Sequence, residues 1–305
     1  MLEIENKLPQ FLIEKLNKQY GEEICKEILD GYEEKRIVTL RVNTLKSNIQ
    51  EVIEELNKNN IIFQRVSWSD VALIIENATE EDIQKLSIYE DGKIYLQSLS
   101  SMLPPIIMSP KENTDILDMT AAPGGKTTQI AVLTNNNANI TACEMNNIRI
   151  EKLKYNIEKQ GATSVSILQQ DSRNLSDYFK FDQILLDAPC SGSGTIDLNN
   201  ERTYKYFTEK LVEKSTKSQI TLLKKALIIL KPGHEMIYST CSILQEENEN
   251  ILEKALKGTN AEIVPIEIAG IEDIPVLPTK IKGTLCVCPN KYYEGFFVAK
   301  IKKNR

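Results

Sequence analysis

Apolar residues open the chain at helical spacing: Phe11, Leu12 and Leu16, then Ile24, Ile28 and Leu29, with Gly21 and Gly31 as breaks. Recurrence at three and four residues collects these side chains on one face, which predicts two short helices acting as a cap. The period then changes. Residues 37–42 and 71–75 are aliphatic runs that read as strands, and residues 49–56 between them return to helical spacing. These form a small α/β unit. Residues 79–96 read as a connection, and residues 97–103 restart a helix that Pro104-Pro105 interrupts or kinks. The boundary between units is placed near residue 90, dividing the chain into 1–90 and 91–305.

Beyond residue 115 strand-like and helix-like stretches alternate. Strands are read at 115–119, 140–143, 165–168, 183–186, 235–239, 262–264 and 295–301, and helices at about 125–133, 146–160, 217–230 and 245–256. This alternation predicts an α/β fold with a mostly parallel sheet covered by helices on both faces. Lys231-Pro232-Gly233 is read as the stop of the third helix before its strand. In such sheets ligands bind outside the carboxyl ends of the strands, and the residues with chemistry to offer fall there.

A chain of 305 residues with 41% hydrophobic content can bury the core of a large domain plus a smaller one. No apolar run approaches the roughly 20 residues that span a bilayer. The start, Met1-Leu2-Glu3-Ile4-Glu5, is acidic where a secretory signal is basic and then apolar, so a cytoplasmic protein with no membrane partner is expected. Six cysteines (25, 143, 190, 241, 286 and 288) in a long, non-secretory chain argue against a disulfide framework. Without a Cys-x-x-Cys pair, and with one histidine, no metal site is expected, and Cys286-Val287-Cys288 reads as two thiols on the same face of a strand. The net charge of −6 argues against indiscriminate nucleic-acid binding. Basic residues nevertheless cluster: Lys35, Arg36, Arg41 and Lys46 near the front, and Lys280, Lys282, Lys291, Lys300, Lys302, Lys303 and Arg305 at the end. Each cluster is either a solvated face or part of a localised groove.

The loop Thr120, Ala121, Ala122, Pro123, Gly124, Gly125, Lys126 follows a predicted strand and opens a helix. Its glycines let the backbone approach a ligand, and the helix start offers free N–H groups. A nucleoside triphosphatase loop needs glycine where Thr120 stands, which disfavours that reading. Glu144 ends the second strand of this unit, where a carboxylate can accept hydrogen bonds from ribose hydroxyls or be an ordinary strand-end acid. Asp171, past the third strand, can reach an adenine ring or cap a helix. Together with Asp118 and Asp187 they form a series of acids at successive strand ends that an adenosine-containing cofactor fits. Asp187-Ala188-Pro189-Cys190 and Ser239-Thr240-Cys241-Ser242 place a thiol just past each of the next two strands. Cys190 is either reactive or a buried strand-end cysteine. Cys241 precedes a helix start, which favours a thiolate. His234, the lone histidine, sits at the amino end of its strand and reads as structural.

Six segments resemble the RNA 5-cytosine methyltransferases of the Nop/Sun type, the family of bacterial ribosomal-RNA enzymes and their relatives. They are residues 39–46, 97–103, 118–126, 187–194, Ser239 to Ser242 with Glu246-Glu247-Asn248-Glu249, and 294–299, in the family's order over nearly the whole chain. The resemblance implies a Rossmann-like class I methyltransferase sheet with a small N-terminal RNA-binding domain. It implies that Thr120 to Lys126, Glu144, Asp171 and Asp187 line the pocket for S-adenosyl-L-methionine, and that Asp187 and Lys126 also face the target base. It further implies that Cys241 is the nucleophile and that Cys190 helps to release the product, an assignment the residues alone leave open. The chain departs from the family at Thr120, at His234 and in residues 288–293, where a histidine-containing approach to the last strand is usual.

The chemistry expected from this resemblance is transfer of a methyl group to C5 of a cytosine in structured rRNA or tRNA, with Cys241 bonded to C6 in the intermediate. The protein is expected to act as a monomer and to have no further domain after Arg305, so that target choice is expected to fall to the front domain and surface loops. Two rivals are an RNA-binding protein that keeps the fold without chemistry and an amino-group methyltransferase. The first would lack a thiol or the glycine loop. The second would carry Asn/Asp-Pro-Pro-aromatic where this chain has Asp-Ala-Pro-Cys.

Overall fold

A computed structural model of the protein describes residues 7–305. The opening apolar stripes form α1 (Gln10–Tyr20) and α2 (Glu22–Glu33). Gly31 lies inside α2 and does not end it, correcting the sequence expectation. A Cβ there would stand 1.9 Å from the Pro289 carbonyl oxygen, so glycine is required by close backbone approach. Leu12, Leu16, Ile28 and Tyr32 pack in one cluster with Ile184, Tyr238 and Phe297 of the large sheet. The two helices thus cover the large sheet and do not belong to the small unit.

The small unit is a four-stranded antiparallel sheet of β1 (Val38–Val42), β2 (Phe63–Val66), β3 (Ser69–Ile75) and β4 (Ile94–Leu96), in the order β2-β3-β1-β4. Helix α3 (Ile49–Lys58) crosses one face, and the short α4 (Glu80–Gln84) and α5 (Ser87–Glu90) lead into β4. Alternation divides the residues of β3. Leu73 and Ile75 join Val52 and Leu56 of α3 in a local core, whereas Ala72 and Ile74 face a second cluster that contains Met102, Leu103 and Phe296. The small sheet is therefore packed on both faces, and its last strand lies past residue 90.

The large sheet contains β5 (Asp115–Asp118), β6 (Asn139–Glu144), β7 (Val165–Gln169), β8 (Phe181–Asp187), β9 (Leu230–Thr240), β10 (Ala261–Val264) and β12 (Phe296–Lys303), with β11 (Leu285–Val287) paired to β12. The order is β10-β12-β9-β8-β5-β6-β7. Strands β5 to β9 are parallel and β10 to β12 add antiparallel pairs. Leu185 and Ile237 face α6 (Leu99–Met108), while Ile184, Met236 and Tyr238 face the opposite cluster with α9 (Glu209–Ile229). Helices α7 (Gly125–Leu133), α8 (Asn147–Gln160) and α10 (Glu249–Leu256) complete the layers. Cys286 and Cys288 lie in one cluster and Val287 in the other, so the two thiols share a face.

Two breaker signals act differently from the sequence expectation. Pro104 and Pro105 lie within continuous α6, and the Ser101 carbonyl that Pro105 cannot satisfy accepts a hydrogen bond from Gln97 Nε2 at 3.1 Å. Helix α9 begins at Glu209, with Thr208 as its cap, and ends at Ile229, after which β9 starts directly. Lys231-Pro232-Gly233 consequently sits in the first turn-like stretch of β9, beside a register shift.

Candidate active site

The chain runs outward from β5 through β6 to β7, then crosses back to place β8 beside β5 and β9 beyond it. This reversal leaves a crevice above the carboxyl ends of β5 and β8, the position at which open α/β sheets bind ligands. Asp118 ends β5 and Asp187 ends β8, and Thr120 Oγ1 donates to the Asp187 carbonyl at 2.7 Å, tying the two strand ends together. The glycine loop then turns into α7. Gly124 adopts φ 110° and a Cβ on it would press within 3.0 Å of Leu153, so this position needs glycine for its conformation as well as its space.

Lys126, in the first turn of α7, points back into the crevice. Its Nζ lies 2.8 Å from Asp187 Oδ2 and 2.8 Å from Ser101 Oγ of α6, and 5.2 Å from the centre of the Phe296 ring. The other Asp187 oxygen accepts from Ser239 Oγ at 2.8 Å. Burial opposes the charge on Lys126, but Asp187, Cys241 and Asp118 together more than offset it, and the ammonium is held above its ordinary pKa. Ser239 and Ser101 thereby fix a carboxylate and an ammonium as a preset pair.

Cys190 and Cys241 meet above this pair, with their sulfurs 3.1 Å apart. Asp187 is opposite Ser239 in the β8–β9 register, so three residues beyond one and two beyond the other bring the thiols to the same height. The Cys190 thiol is pushed well above its ordinary range, first by its hydrogen bond to Cys241, then by burial and by the Cys241 and Glu247 charges. Glu247 is fully buried. It accepts from the Ser191 amide at 2.8 Å, the Ser191 hydroxyl at 2.5 Å and Gln219 Nε2 at 3.3 Å, fixing the loop that carries Cys190.

A cavity of about 470 Å³ opens over these groups, lined by Thr120 to Pro123, Gly125, Lys126, Asp187 and Cys241 on one side and by Thr39, Tyr95, Ser98, Tyr292 and Glu294 on the other. Glu144 and Asp171 do not line it. They lie around a smaller hollow of about 80 Å³ with Met145, Arg149 and Arg173, and Thr120 borders both spaces. The loop and the two outer acids, grouped by sequence, thus flank adjoining compartments. Glu144 accepts from the amides of Met145 and Asn146, each at 2.9 Å, and pairs with Arg149 at 3.1 Å. Asp171 caps the turn Ser172–Asn174 and pairs with Arg173 at 2.6 Å, which holds its carboxyl below the usual range. The turn-capping role weighed for Asp171 is therefore present in the structure. The hollow presents two carboxylates, each paired with an arginine, as acceptors of the kind that ribose hydroxyls and an adenine amino group use, and it adjoins the glycine loop through Thr120.

Asp118 is buried, accepts from Thr127 Oγ1 at 2.7 Å, and has its carboxyl pushed up to about 6, by desolvation first and with a contribution from Asp187. Near pH 4 the unfolded chain begins to ionise while the native group stays neutral, so the native state loses stability as pH rises, until the loss is complete above about pH 6. Asp118→Asn removes this titration. Its stability relative to the parent protein is expected to rise by about 3 kcal/mol between pH 4 and pH 7 in urea unfolding, and a pH-independent difference would refute the assignment.

Other sequence expectations change. Lys300 pairs with Glu235 at 2.8 Å and Lys303 Nζ caps the end of α9 through the carbonyls of Leu227 and Leu230, at 2.7 and 2.9 Å. Register places both toward the Glu235 end of β9, away from Thr240 and Cys241, so these lysines do not border the crevice. His234 lies at that same end, 3.7 Å from Asp182. Among the described residues no group of three or more His, Cys, Asp or Glu is placed to hold a metal, and no helix is long and apolar enough to cross a membrane. Sequence reasoning missed Ser101, Ser239 and Glu247 as supports of the site. All three lie inside motifs that it had singled out.

The sheet order, with its reversal beside β5 and its antiparallel strands at one edge, is that of the Rossmann-like class I methyltransferase fold, here with a small N-terminal domain. Residues 105–302 match the family model described as 16S rRNA methyltransferase RsmB/F, and residues 8–81 match the RsmF/B-like ferredoxin-like domain. The chain belongs to this family. It is 33% identical over 274 residues to ribosomal RNA small subunit methyltransferase F of Shewanella loihica, covering 87% of this chain and 56% of that protein. The corresponding protein of Aliivibrio salmonicida is 36% identical over 276 residues, covering 87% and 58%. The chain thus spans a little over half the length of these relatives. A methyltransferase homolog protein from Pyrococcus horikoshii is 31% identical with a TM-score of 0.85, covering 99% of both chains. NSun6 from Pyrococcus horikoshii, solved with SFG, is 24% identical with a TM-score of 0.86 over 97% of this chain and 98% of that one, a likeness of fold.

Proposed function

We propose that the chain is an S-adenosyl-L-methionine-dependent RNA methyltransferase acting at C5 of a cytosine, with Cys241 bonding transiently to C6. The observation that carries this reading is Cys241 lining one cavity with a preset Lys126–Asp187 pair, with the Cys190 sulfur 3.1 Å behind it. The names of the relatives favour small-subunit rRNA over tRNA as the substrate, and a cytoplasmic site of action follows from that choice.

Thr120 to Lys126 would hold the cofactor's amino-acid portion at the start of α7, Glu144 its ribose hydroxyls and Asp171 its adenine. Bound there, it supplies an electrophilic methyl group. Asp187, in the larger compartment, would accept from the amino edge of the base while Lys126 places the ring. C5 of cytosine is a poor nucleophile, and addition of the Cys241 thiolate to C6 moves electron density onto C5. Once C5 carries the methyl group, loss of its proton restores the ring and expels Cys241. Fixed orientation supplies much of the acceleration, because Asp187 and Lys126 are already positioned by Ser239 and Ser101. A cytosine in a loop or single strand reaches this site at least cost, since a stacked base must first be extruded.

Incubation with methyl-tritiated cofactor and total RNA from a strain lacking the gene, followed by nucleoside analysis, is expected to place the label in 5-methylcytidine. Label in N4-methylcytidine would sink the reading in favour of amino-group transfer.

A further inference from the structure

Residues 288–293, the approach to the last strand, carry no role in the chemistry above. They are nevertheless held firmly. Asn290 Oδ1 accepts from the amides of Tyr292 and Tyr293 at 2.8 and 2.9 Å, and the Asn290 amide donates to the Tyr293 carbonyl at 2.9 Å, closing a tight turn. The turn is anchored to the rest of the chain on several sides. Trp68 Nε1 of the small domain donates to the buried Tyr293 hydroxyl at 2.9 Å, the Ile37 amide donates to the Lys291 carbonyl at 3.0 Å, and Arg36 donates to the Tyr293 carbonyl at 2.5 Å.

These bonds leave Tyr292 as the member that faces inward. Its ring is half-buried, packs in part against the apolar cluster behind it and lines the same cavity as Cys241, Asp187 and Lys126, while the exposed Lys291 ammonium lies over one face of the ring, 4.6 Å from its centre. An aromatic ring fixed by its loop, with a cation over one face and its cavity side open, beside a site for one flipped base matches the chemistry of a neighbouring nucleotide: stacking for its base and charge for its phosphate. Protein side chains would fit a bare aromatic patch as well. The ring's place in the wall of the reaction cavity and the adjacent cation favour the nucleic acid.

We infer that Tyr292 is the stacking platform for the nucleotide next to the target cytosine, and that Lys291 takes the adjoining phosphate. This rests on the RNA reading above. Tyr292 is a positioning residue and takes no part in bond making. Specificity at the flanking position is modest in consequence, because every base offers a face to stack.

The test is steady-state methyl transfer to total RNA from the deletion strain, comparing Tyr292→Phe, Tyr292→Leu and Tyr292→Ala. Phenylalanine is expected to behave like the parent. Leucine, which still fills space against the loop, and alanine are expected to raise the half-saturating RNA concentration about tenfold with kcat within about twofold. Lys291→Ala is expected to lower the slope of log affinity against log salt by about one. Methylation with unchanged RNA dependence in the leucine and alanine variants would overturn the platform and leave the RNA reading standing. No RNA binding by the parent protein would overturn both.

Discussion

Cys241→Ala is expected to abolish methyl transfer, by on the order of 10⁴-fold or more, whereas Cys190→Ala is expected to permit one turnover and then accumulate a covalent protein–RNA adduct. The asymmetry follows from the contact between the two sulfurs. Either sulfur can donate across their 3.1 Å contact, but the Cys190 thiol is pushed up by that contact first and then by burial, which favours its protonated form. A thiol kept protonated near neutral pH is a poor nucleophile. Cys241 also faces Lys126, whose ammonium is held partly by the charge of that sulfur.

In the proposed mechanism a Cys241 sulfur bonded to carbon would accept hydrogen bonds weakly, and the main cause that keeps Cys190 protonated would weaken with it. Cys190 can then ionise and take part in removing the C5 proton, directly or through water. Without Cys190 that proton leaves slowly and the adduct persists. A denaturing gel of enzyme incubated with radiolabelled RNA and cofactor reads the outcome. A stable adduct with Cys241→Ala, and none with Cys190→Ala, would exchange the two roles.

The strand ends were the most legible part of the chain. Each of β5, β6, β7, β8 and β9 is an aliphatic run closed by a polar or turn-forming residue, so Asp118, Glu144, Asp171, Asp187 and Cys241 could be placed at the carboxyl edge from local pattern. β2 was illegible because Phe63–Val66 has no buried residue to set a period, and β4 because Ile94–Leu96 is three residues long. Pro104 and Pro105 misled for a different reason. Whether a proline breaks a helix depends on who satisfies the freed carbonyl, and for Ser101 the donor is Gln97, at the helix entrance. The split of the site into two compartments was equally beyond reach. It depends on Thr120 reaching across to the Asp187 carbonyl and on Arg149 and Arg173 folding over the outer acids. Such contacts are made by tertiary packing, on which local periodicity is silent.

Gly194→Ala is expected to lower kcat by about 10²-fold, although the residue touches neither base nor cofactor in the proposed mechanism. Its φ lies outside the left-handed region, so the need for glycine there is purely one of space. An added Cβ would stand 1.9 Å from the Gly295 carbonyl oxygen and 2.4 Å from its carbon, and backbone atoms cannot rotate aside as a flexible side chain would. The loop after Cys190 is sewn at this point to the segment after Cys241: the Gly194 amide donates to the Cys241 carbonyl at 2.9 Å, and the Gly295 amide to the Gly194 carbonyl at 2.8 Å. Relief of the overlap requires a shift of about 1 Å, which is enough to misplace a reacting group by two orders of magnitude in rate. The same overlap should cost about 1–3 kcal/mol of stability. Single-turnover methyl transfer together with urea unfolding separates the two effects, since saturating RNA and cofactor at a temperature well below unfolding leave only the misplacement. A parent-like single-turnover rate would show that the two thiols keep their contact without this close approach, and that the Glu247 hydrogen bonds to Ser191 suffice to hold Cys190 against Cys241.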